Sequence, residues 1–225
     1  MDQLAKRALI GLARFQIALA VLIFLPAWSL RYWQGWLYWA SFGMWCLLLT
    51  LYFLRRDPAL IVRRMNAGPQ AETEPKQKII LWCATASLVA LYLVSALDHR
   101  FGWSRVPAPL ALIGDAFVVL GFYGIFLTFR ENAFAAATVR VDKGQPVIAT
   151  GPYGLVRHPM YSAALVLFSA TPIALGSLWG LVPAAVLAAV IVWRLRSEEE
   201  YLARNLPGYD DYRRTVPARL VPGVW

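Results

Sequence analysis

Charged residues are scarce in this chain, and cysteine is scarcer still. Of its 225 residues 16% are charged and 59% are hydrophobic, a balance that excludes an ordinary soluble domain. Its two cysteines, Cys46 and Cys83, both lie inside apolar segments, so we expect buried thiols rather than a disulfide. No cysteine and histidine cluster has metal-ligand spacing, and no internal repeat occurs. The sequence therefore predicts one compact membrane protein without a metal site.

Long apolar runs dominate the chain. Six apolar segments stand out, at 8–28, 36–54, 78–97, 110–129, 160–175 and 178–195. The first four are long enough to cross a bilayer, whereas the last two are shorter and are joined by Gly176-Ser177, a junction typical of a tight hairpin. The pattern predicts an all-α transmembrane bundle of about five to six spans, in which the last two helices form a hairpin.

Positive charge is distributed unevenly between these segments. The chain has 22 Lys and Arg residues and a net charge of +9. If the N-terminus is cytoplasmic, only Arg31, Arg100 and Arg105 fall on the outer side. This bias predicts a multi-pass protein of the inner (cytoplasmic) membrane with both termini in the cytoplasm. Contact with anionic membrane lipids then explains the basic balance, so we expect no nucleic-acid partner.

The polar residues are concentrated in the second half of the chain. We divide it into a scaffold of four helices, 1–129, and a second part, 130–225, that forms one structural unit with the scaffold. This second part contains a polar loop, 130–158, the helical hairpin and a polar tail, 194–225. We expect the loop and the tail to face the cytoplasm and to carry the functional residues. The pattern indicates no particular oligomeric state.

The polar loop ends in a compact motif at 151–161, Gly-Pro-Tyr-Gly-Leu-Val-Arg-His-Pro-Met-Tyr. Its first dipeptide is a turn signal. Pro159 favours an extended conformation at His158 and suits the first turn of a helix that continues to Leu175. The free N–H groups at a helix start favour an anionic ligand group. A histidine in this position is more often structural than catalytic when it stands alone, so its neighbours decide the interpretation.

The polar tail begins on the last helix. Arg194 and Glu198 are four residues apart and share a helix face, for which a weak surface pair is the simplest interpretation. Arginine before glutamate is the less favourable order for such a pair, and only a hairpin separates this face from His158. We therefore expect this face and His158 to form one site. Tyr209 and Tyr212, which follow a Pro-Gly turn, predict an ordered tail with aromatic anchors.

At these residues the sequence resembles the isoprenylcysteine carboxyl methyltransferase family of integral-membrane enzymes, a group related to phospholipid N-methyltransferases. The matching positions are Gly151-x-Tyr153-x-x-x-Arg157-His158-Pro159-x-Tyr161, Arg194-x-x-x-Glu198-Glu199-x-x-Leu202, Gly208, Tyr212 and Val216-Pro217. The resemblance covers residues 130–225, and the first four helices match in hydropathy only. The two motifs at this spacing are more specific than Arg-His-Pro-x-Tyr alone.

The resemblance implies a methyltransferase that uses S-adenosylmethionine, bound in a cytoplasm-facing pocket. It assigns the cofactor to Thr138, Gln145, Pro146, Val147, Ile148, Tyr153, Arg157, His158, Tyr161, Glu198 and Glu199. Glu198 would accept hydrogen bonds from amino or hydroxyl groups of the cofactor. The catalytic residues implied are Glu198 and Arg194, with Arg194 directed toward a lipophilic or small-molecule acceptor.

Methyl transfer from a sulfonium requires alignment and the exclusion of water, and it requires neither a metal nor a covalent nucleophile. A carboxylate acceptor needs only orientation by an arginine. A thiol or an amine would have to lose a proton, for which Glu198, Glu199 and His158 are candidates. The acceptor therefore stays open among prenylated protein termini, phospholipid amines, small thiols and isoprenoid acids.

Two other functions fit parts of the sequence. Integral-membrane sterol reductases are similar over the Arg-His-Pro-x-Tyr region but use a nicotinamide cofactor, and the length of 225 residues argues against them. A non-enzymatic membrane protein, such as a transporter or an assembly factor, would explain the apolar segments but would leave the polar loop and tail without a purpose. The response of the protein to each cofactor separates the three functions.

Overall fold

Eight α-helices account for most of the part of the chain that the structure describes. The computed structural model describes residues 2–65, 68–72, 74–134, 141 and 144–225. The helices are α1 (Asp2–Ala27), α2 (Trp33–Arg56), α3 (Pro58–Met65), α4 (Pro75–Phe101), α5 (Ala108–Glu131), α6 (Pro159–Ala174), α7 (Leu181–Asn205) and α8 (Tyr209–Thr215). A 3-10 turn at Gly151–Gly154 precedes α6. No strand occurs within these ranges, and the predicted all-α class is confirmed.

Four helices, α1, α2, α4 and α5, are long and apolar enough to cross a membrane by their length and composition. Helix α6 is apolar but has only 16 residues, and α7 is apolar in its first half and charged in its second. These two helices form the predicted hairpin, and the short helix α3 follows α2 directly. The helical content fits a multi-pass integral membrane protein.

The connections between the helices gather at two ends of the bundle. At the end that we call the outer end, formed by the connections 28–32, 102–107 and 175–180, the guanidinium of Arg100 lies 5.7 Å from the ring centre of Trp28. At the other end, which we call the polar end, Lys76 lies 3.1 Å from Glu200. The polar loop and the polar tail both belong to this second end.

Helices α5 and α6 pack with their backbones in close approach. A Cβ atom added at Gly114 would lie 2.5 Å from the backbone nitrogen of Ala174, and one added at Gly121 would lie 2.6 Å from the Cβ atom of Leu167. Neither distance leaves room for a larger residue. Small residues give close packing inside membranes, where burial of an apolar side chain offers little gain over contact with lipid. This close pairing fixes the middle and the end of α6 against α5.

At the outer end, Asp98 joins three parts of the chain. This residue has no exposed surface. Its carboxylate accepts hydrogen bonds from the backbone nitrogen of Ser104 at 2.7 Å, from the Ser104 hydroxyl at 2.6 Å and from the Ser177 hydroxyl at 2.6 Å. The end of α4 is thereby tied to the connection before α5 and to the turn of the α6–α7 hairpin.

Candidate active site

The polar loop and the polar tail meet at the start of α6. His158 is the N-cap residue, with φ −127° and ψ 61°, and the helix begins at Pro159 as its sequence position predicts. The backbone nitrogen of Arg157 donates a hydrogen bond to the Ala218 carbonyl at 2.9 Å, and that of His158 donates to the Arg219 carbonyl at 3.0 Å. The tail therefore runs beside the motif and is held to it by the backbone.

Glu199 lies at the centre of a buried ion network. Its carboxylate is 2.7 Å from Nε of Arg157, 2.8 Å from Nε of Arg219 and 3.2 Å from Nε2 of His158. Burial disfavours the ionised form, but the hydrogen bonds from His158, Arg157 and Arg219 outweigh it, so the pKa of Glu199 lies well below its ordinary value. Glu199 is a charged group that ties α7 to the motif and to the tail.

Arg157 is held by the tail as well as by Glu199. Its Nη1 atom donates hydrogen bonds to the carbonyl of Val216 at 2.8 Å and to that of Pro217 at 2.7 Å. The residue is 6% exposed, so these contacts satisfy a guanidinium that is almost removed from solvent. A buried arginine needs this set of acceptors because its donors cannot be neutralised by losing a proton.

Arg194 and Glu198 are connected through a third side chain, Tyr161 of α6. Nε of Arg194 donates a hydrogen bond to the Tyr161 hydroxyl at 2.9 Å, and this hydroxyl donates to Oε2 of Glu198. The shared helix face predicted for the two residues is therefore part of a three-residue chain rather than a weak surface pair. Tyr161 fixes the orientation of the Glu198 carboxylate.

A cavity opens between the polar loop, the start of α6, the end of α7 and α8. Its empty volume is about 820 Å³, counted with the open space at its mouth. It is lined by most of the residues predicted to bind a cofactor, namely Gln145, Pro146, Val147, Ile148, Tyr153, Arg157, His158, Tyr161 and Glu198. Two of the predicted residues lie behind this lining. Glu199 contacts Arg157, and Arg194 contacts Tyr161. Thr138 lies outside the described residues.

Other lining residues were not assigned from the sequence. They are Asn132, Phe134, Pro159, Met160, Leu202, Leu206, Tyr209 and Tyr212. Nδ2 of Asn132 donates a hydrogen bond to the Tyr153 hydroxyl at 3.0 Å, and the Tyr212 hydroxyl donates to the Tyr153 carbonyl at 2.7 Å. Burial raises the pKa of Tyr153 to about 12, so its hydroxyl is neutral near pH 7. The sequence did point to the two tail tyrosines, Tyr209 and Tyr212. It predicted them as aromatic anchors, however, and not as site residues.

A second, apolar cavity adjoins the first. This apolar groove runs between α5, α6 and the tail, has an empty volume of about 940 Å³ and is lined by Leu120, Gly124, Val166 and Leu220 among others. Pro159 lines both the groove and the cavity. The arrangement therefore places a mixed polar and apolar cavity beside an apolar one at the same end of the bundle.

Comparison with known proteins gives these features a family context. The sequence pattern of the family described as phospholipid methyltransferase matches residues 110–207. Methanethiol S-methyltransferase 2 of Bradyrhizobium diazoefficiens is 32% identical over 142 residues, which are 63% of this chain and 49% of that protein. The match to a membrane methyltransferase family confirms the resemblance predicted from the motifs of the loop and the tail.

Two further relatives carry different names. The nickel-cobalt-cadmium resistance protein NccN of Alcaligenes xylosoxydans xylosoxydans is 29% identical over 148 residues, 64% of this chain and 64% of that protein. The Delta(14)-sterol reductase of Mus musculus is 29% identical over 132 residues, 52% of this chain and 31% of that protein. This chain spans less than two thirds of the length of each of these three relatives.

Proposed function

We propose that this chain, whose residues 110–207 match the phospholipid methyltransferase family, is an integral-membrane methyltransferase that uses S-adenosylmethionine. The observation that carries the proposal is the cavity at the polar end that gathers loop, α6 and α7 residues of the two sequence motifs around one space. The relative named as a methanethiol methyltransferase supports the reaction class.

The lining of the cavity fits a ligand with this chemistry. S-adenosylmethionine joins a flat, largely apolar base to a polar amino-acid portion, and when bound it supplies an electrophilic methyl group on a positively charged sulfur. Val147, Leu202 and Leu206 offer apolar surface, whereas Glu198 and His158 offer polar groups. An ionised carboxylate accepts hydrogen bonds only, so Glu198 suits the amino and hydroxyl groups of such a ligand.

The residues around the cavity hold it in one shape. Tyr161 keeps the Glu198 carboxylate in a fixed orientation, and the Glu199 network keeps His158 and Arg157 in the cavity wall. The tail packs on the motif, where Arg157 and His158 are almost removed from solvent. Fixed orientation and the exclusion of water are the two requirements of an in-line displacement, so these residues act mainly by positioning.

We propose that the acceptor is lipophilic or small and that it approaches through the apolar groove, because the groove meets the cavity at Pro159. Arg194 would orient an acceptor that carries a carboxylate. A thiol or an amine would instead use Glu198 as a base. The distribution of Lys and Arg supports an orientation in which the polar end and both termini face the cytoplasm.

A membrane reductase is the second candidate, because part of the chain is similar to a sterol reductase. Thermal unfolding of the detergent-purified protein with S-adenosylmethionine, S-adenosylhomocysteine or NADPH separates the candidates. We expect stabilisation by the first two only. Stabilisation by NADPH alone would favour the reductase, and a folded protein that responds to none of the three would favour a non-enzymatic role.

Replacement of Glu198 tests the site itself. We expect Glu198→Gln to weaken binding of S-adenosylhomocysteine about tenfold or more, because a hydrogen bond to a charged group contributes roughly 1.5–3 kcal/mol. The matched control is Glu200→Gln on the same helix, where the side chain is 59% exposed and pairs with Lys76. Isothermal calorimetry in detergent measures both. Equal affinities in the two variants would contradict the role of Glu198.

A further inference from the structure

One buried hydroxyl of the cavity has no partner among the residues that the structure describes. Tyr209 lines the cavity and is 4% exposed, and its hydroxyl oxygen has no hydrogen-bond partner within the described part of the chain. Burial without a partner is costly, so few such groups persist in folded proteins, and each needs an explanation. A hydroxyl that serves a ligand is one explanation.

The neighbouring Tyr212 shows what a purely structural tyrosine does here. Both tyrosines belong to α8, their ring centres are 5.9 Å apart, and Tyr212 is 6% exposed. The Tyr212 hydroxyl, however, donates to the Tyr153 carbonyl at 2.7 Å. Packing against Leu206 and Val216 explains the ring of Tyr209, but a phenylalanine would pack equally well. Packing therefore does not explain the hydroxyl of Tyr209.

The ring of Tyr209 packs among apolar side chains. Val147 comes from the polar loop, Leu202 and Leu206 come from α7, and all three line the cavity together with Tyr209 and Tyr212. We call these five residues the tyrosine slot. Burial raises the pKa of Tyr209, and the negative charges of the nearby acidic groups raise it further, so the hydroxyl keeps its proton. The slot thus combines apolar walls with one hydrogen-bond donor.

Among the parts of the proposed cofactor, only the base matches the slot. The amino-acid portion carries two charges, and the ribose carries two hydroxyls, so both need several polar partners. The base presents two apolar faces and ring nitrogens that accept hydrogen bonds. Resting on the function proposed above, we propose that the tyrosine slot binds the adenine base and that Tyr209 donates a hydrogen bond to one of its ring nitrogens.

A pair of matched variants tests this proposal. In Tyr209→Phe we expect the unfolding temperature without ligand to stay unchanged or to rise, because no hydrogen bond among the described residues is lost. We expect the dissociation constant of S-adenosylhomocysteine to rise about three- to tenfold, the range of one neutral hydrogen bond. In Tyr212→Phe we expect the unfolding temperature without ligand to fall, because the Tyr153 carbonyl loses its donor.

Analogues of S-adenosylhomocysteine identify the accepting atom. In each of the 1-deaza, 3-deaza and 7-deaza analogues, one ring nitrogen is replaced by carbon. We expect one of them to bind the wild-type protein more weakly than S-adenosylhomocysteine by the same factor that Tyr209→Phe produces. We expect that analogue and S-adenosylhomocysteine to bind Tyr209→Phe with equal affinity, because the missing donor and the missing acceptor belong to one hydrogen bond.

Three results would overturn the inference while leaving the proposed function in place. They are an unchanged affinity in Tyr209→Phe, a loss of stability without ligand as large as that of Tyr212→Phe, and deaza effects that are identical in the wild-type protein and the variant. A wild-type protein that is folded but does not bind S-adenosylhomocysteine would overturn the proposed function and this inference together.

Discussion

Asp98 and Glu199 are buried carboxylates at opposite ends of the bundle, and they have opposite kinds of partner. Asp98 accepts its hydrogen bonds from serine hydroxyls and backbone N–H groups, all of them neutral. Glu199 is held by two arginines and a histidine. Neutral donors are enough to join connections in a turn, whereas the arginines that the motif and the tail bring together are compensated by an anion between them.

The comparison also separates stability from binding. The parts joined by Asp98 are connections at the outer end, and none of them lines the cavity. The parts joined by Glu199 include the motif, whose residues Arg157 and His158 line the cavity. Loss of either carboxylate should therefore destabilise the protein, but only loss of Glu199 should also disturb the site.

The largest effect is expected from Glu199→Ala. Removal of one member of a buried ion network leaves its partners buried without compensation and costs roughly 3–5 kcal/mol. We expect a loss of that size in the free energy of unfolding, measured by denaturant titration in detergent, together with loss of S-adenosylhomocysteine binding. The adjacent Glu200→Ala, in which only an exposed pair is lost, should change stability by less than about 1 kcal/mol. Similar losses in both variants would contradict the role of the network.

A smaller effect is expected from Asp98→Ala. The variant leaves the Ser104 N–H and two serine hydroxyls without their acceptor, at a cost of roughly 1–3 kcal/mol for a buried polar group left unpaired. We expect the variant that remains folded to bind S-adenosylhomocysteine with the wild-type affinity in calorimetry. Weakened binding in this variant would remove the distinction between the two ends.

The smallest expected effect is a dependence of folding stability on pH. The pKa of folded Glu199 lies below that of an unfolded glutamate, about 4.3. Above this pH both states are ionised and the full contribution is present, whereas below it the unfolded chain takes up a proton that the folded state does not. Stability should therefore fall as the pH falls from about 5 to 3. The difference in unfolding temperature between wild type and Glu199→Gln should narrow over this range, and a constant difference would contradict the prediction.

Much of the fold was predictable because hydrophobic length and charge distribution are local properties of the sequence. The apolar segments gave the helices, and the position of Pro159 gave the start of α6. His158 lies outside the helix as expected, but its ψ of 61° is not that of extended backbone. The close approach of α5 and α6 was not predicted, since Gly114 and Gly121 are informative only when the facing helix is known.

For the candidate site, too, the sequence predicted the residues better than their contacts. The two motifs predicted which residue types come together, and the structure places most of them around one cavity. Their pairings depend on tertiary contacts that no spacing reveals. Tyr161 lies between Arg194 and Glu198, and Asn132 contacts Tyr153 across the polar loop. For the same reason Glu199, predicted to touch a ligand, lies behind the lining with its oxygens held by protein groups.

The backbone bonds between the motif and the tail have a consequence for biosynthesis. Arg157 and His158 bond to the carbonyls of Ala218 and Arg219, some sixty residues later in the chain. A ribosome that has completed α7 has supplied helices α1 to α7, yet the buried guanidinium of Arg157 still lacks its tail acceptors. The membrane helices can therefore insert before the site exists, and the cavity takes its shape as a late step of synthesis.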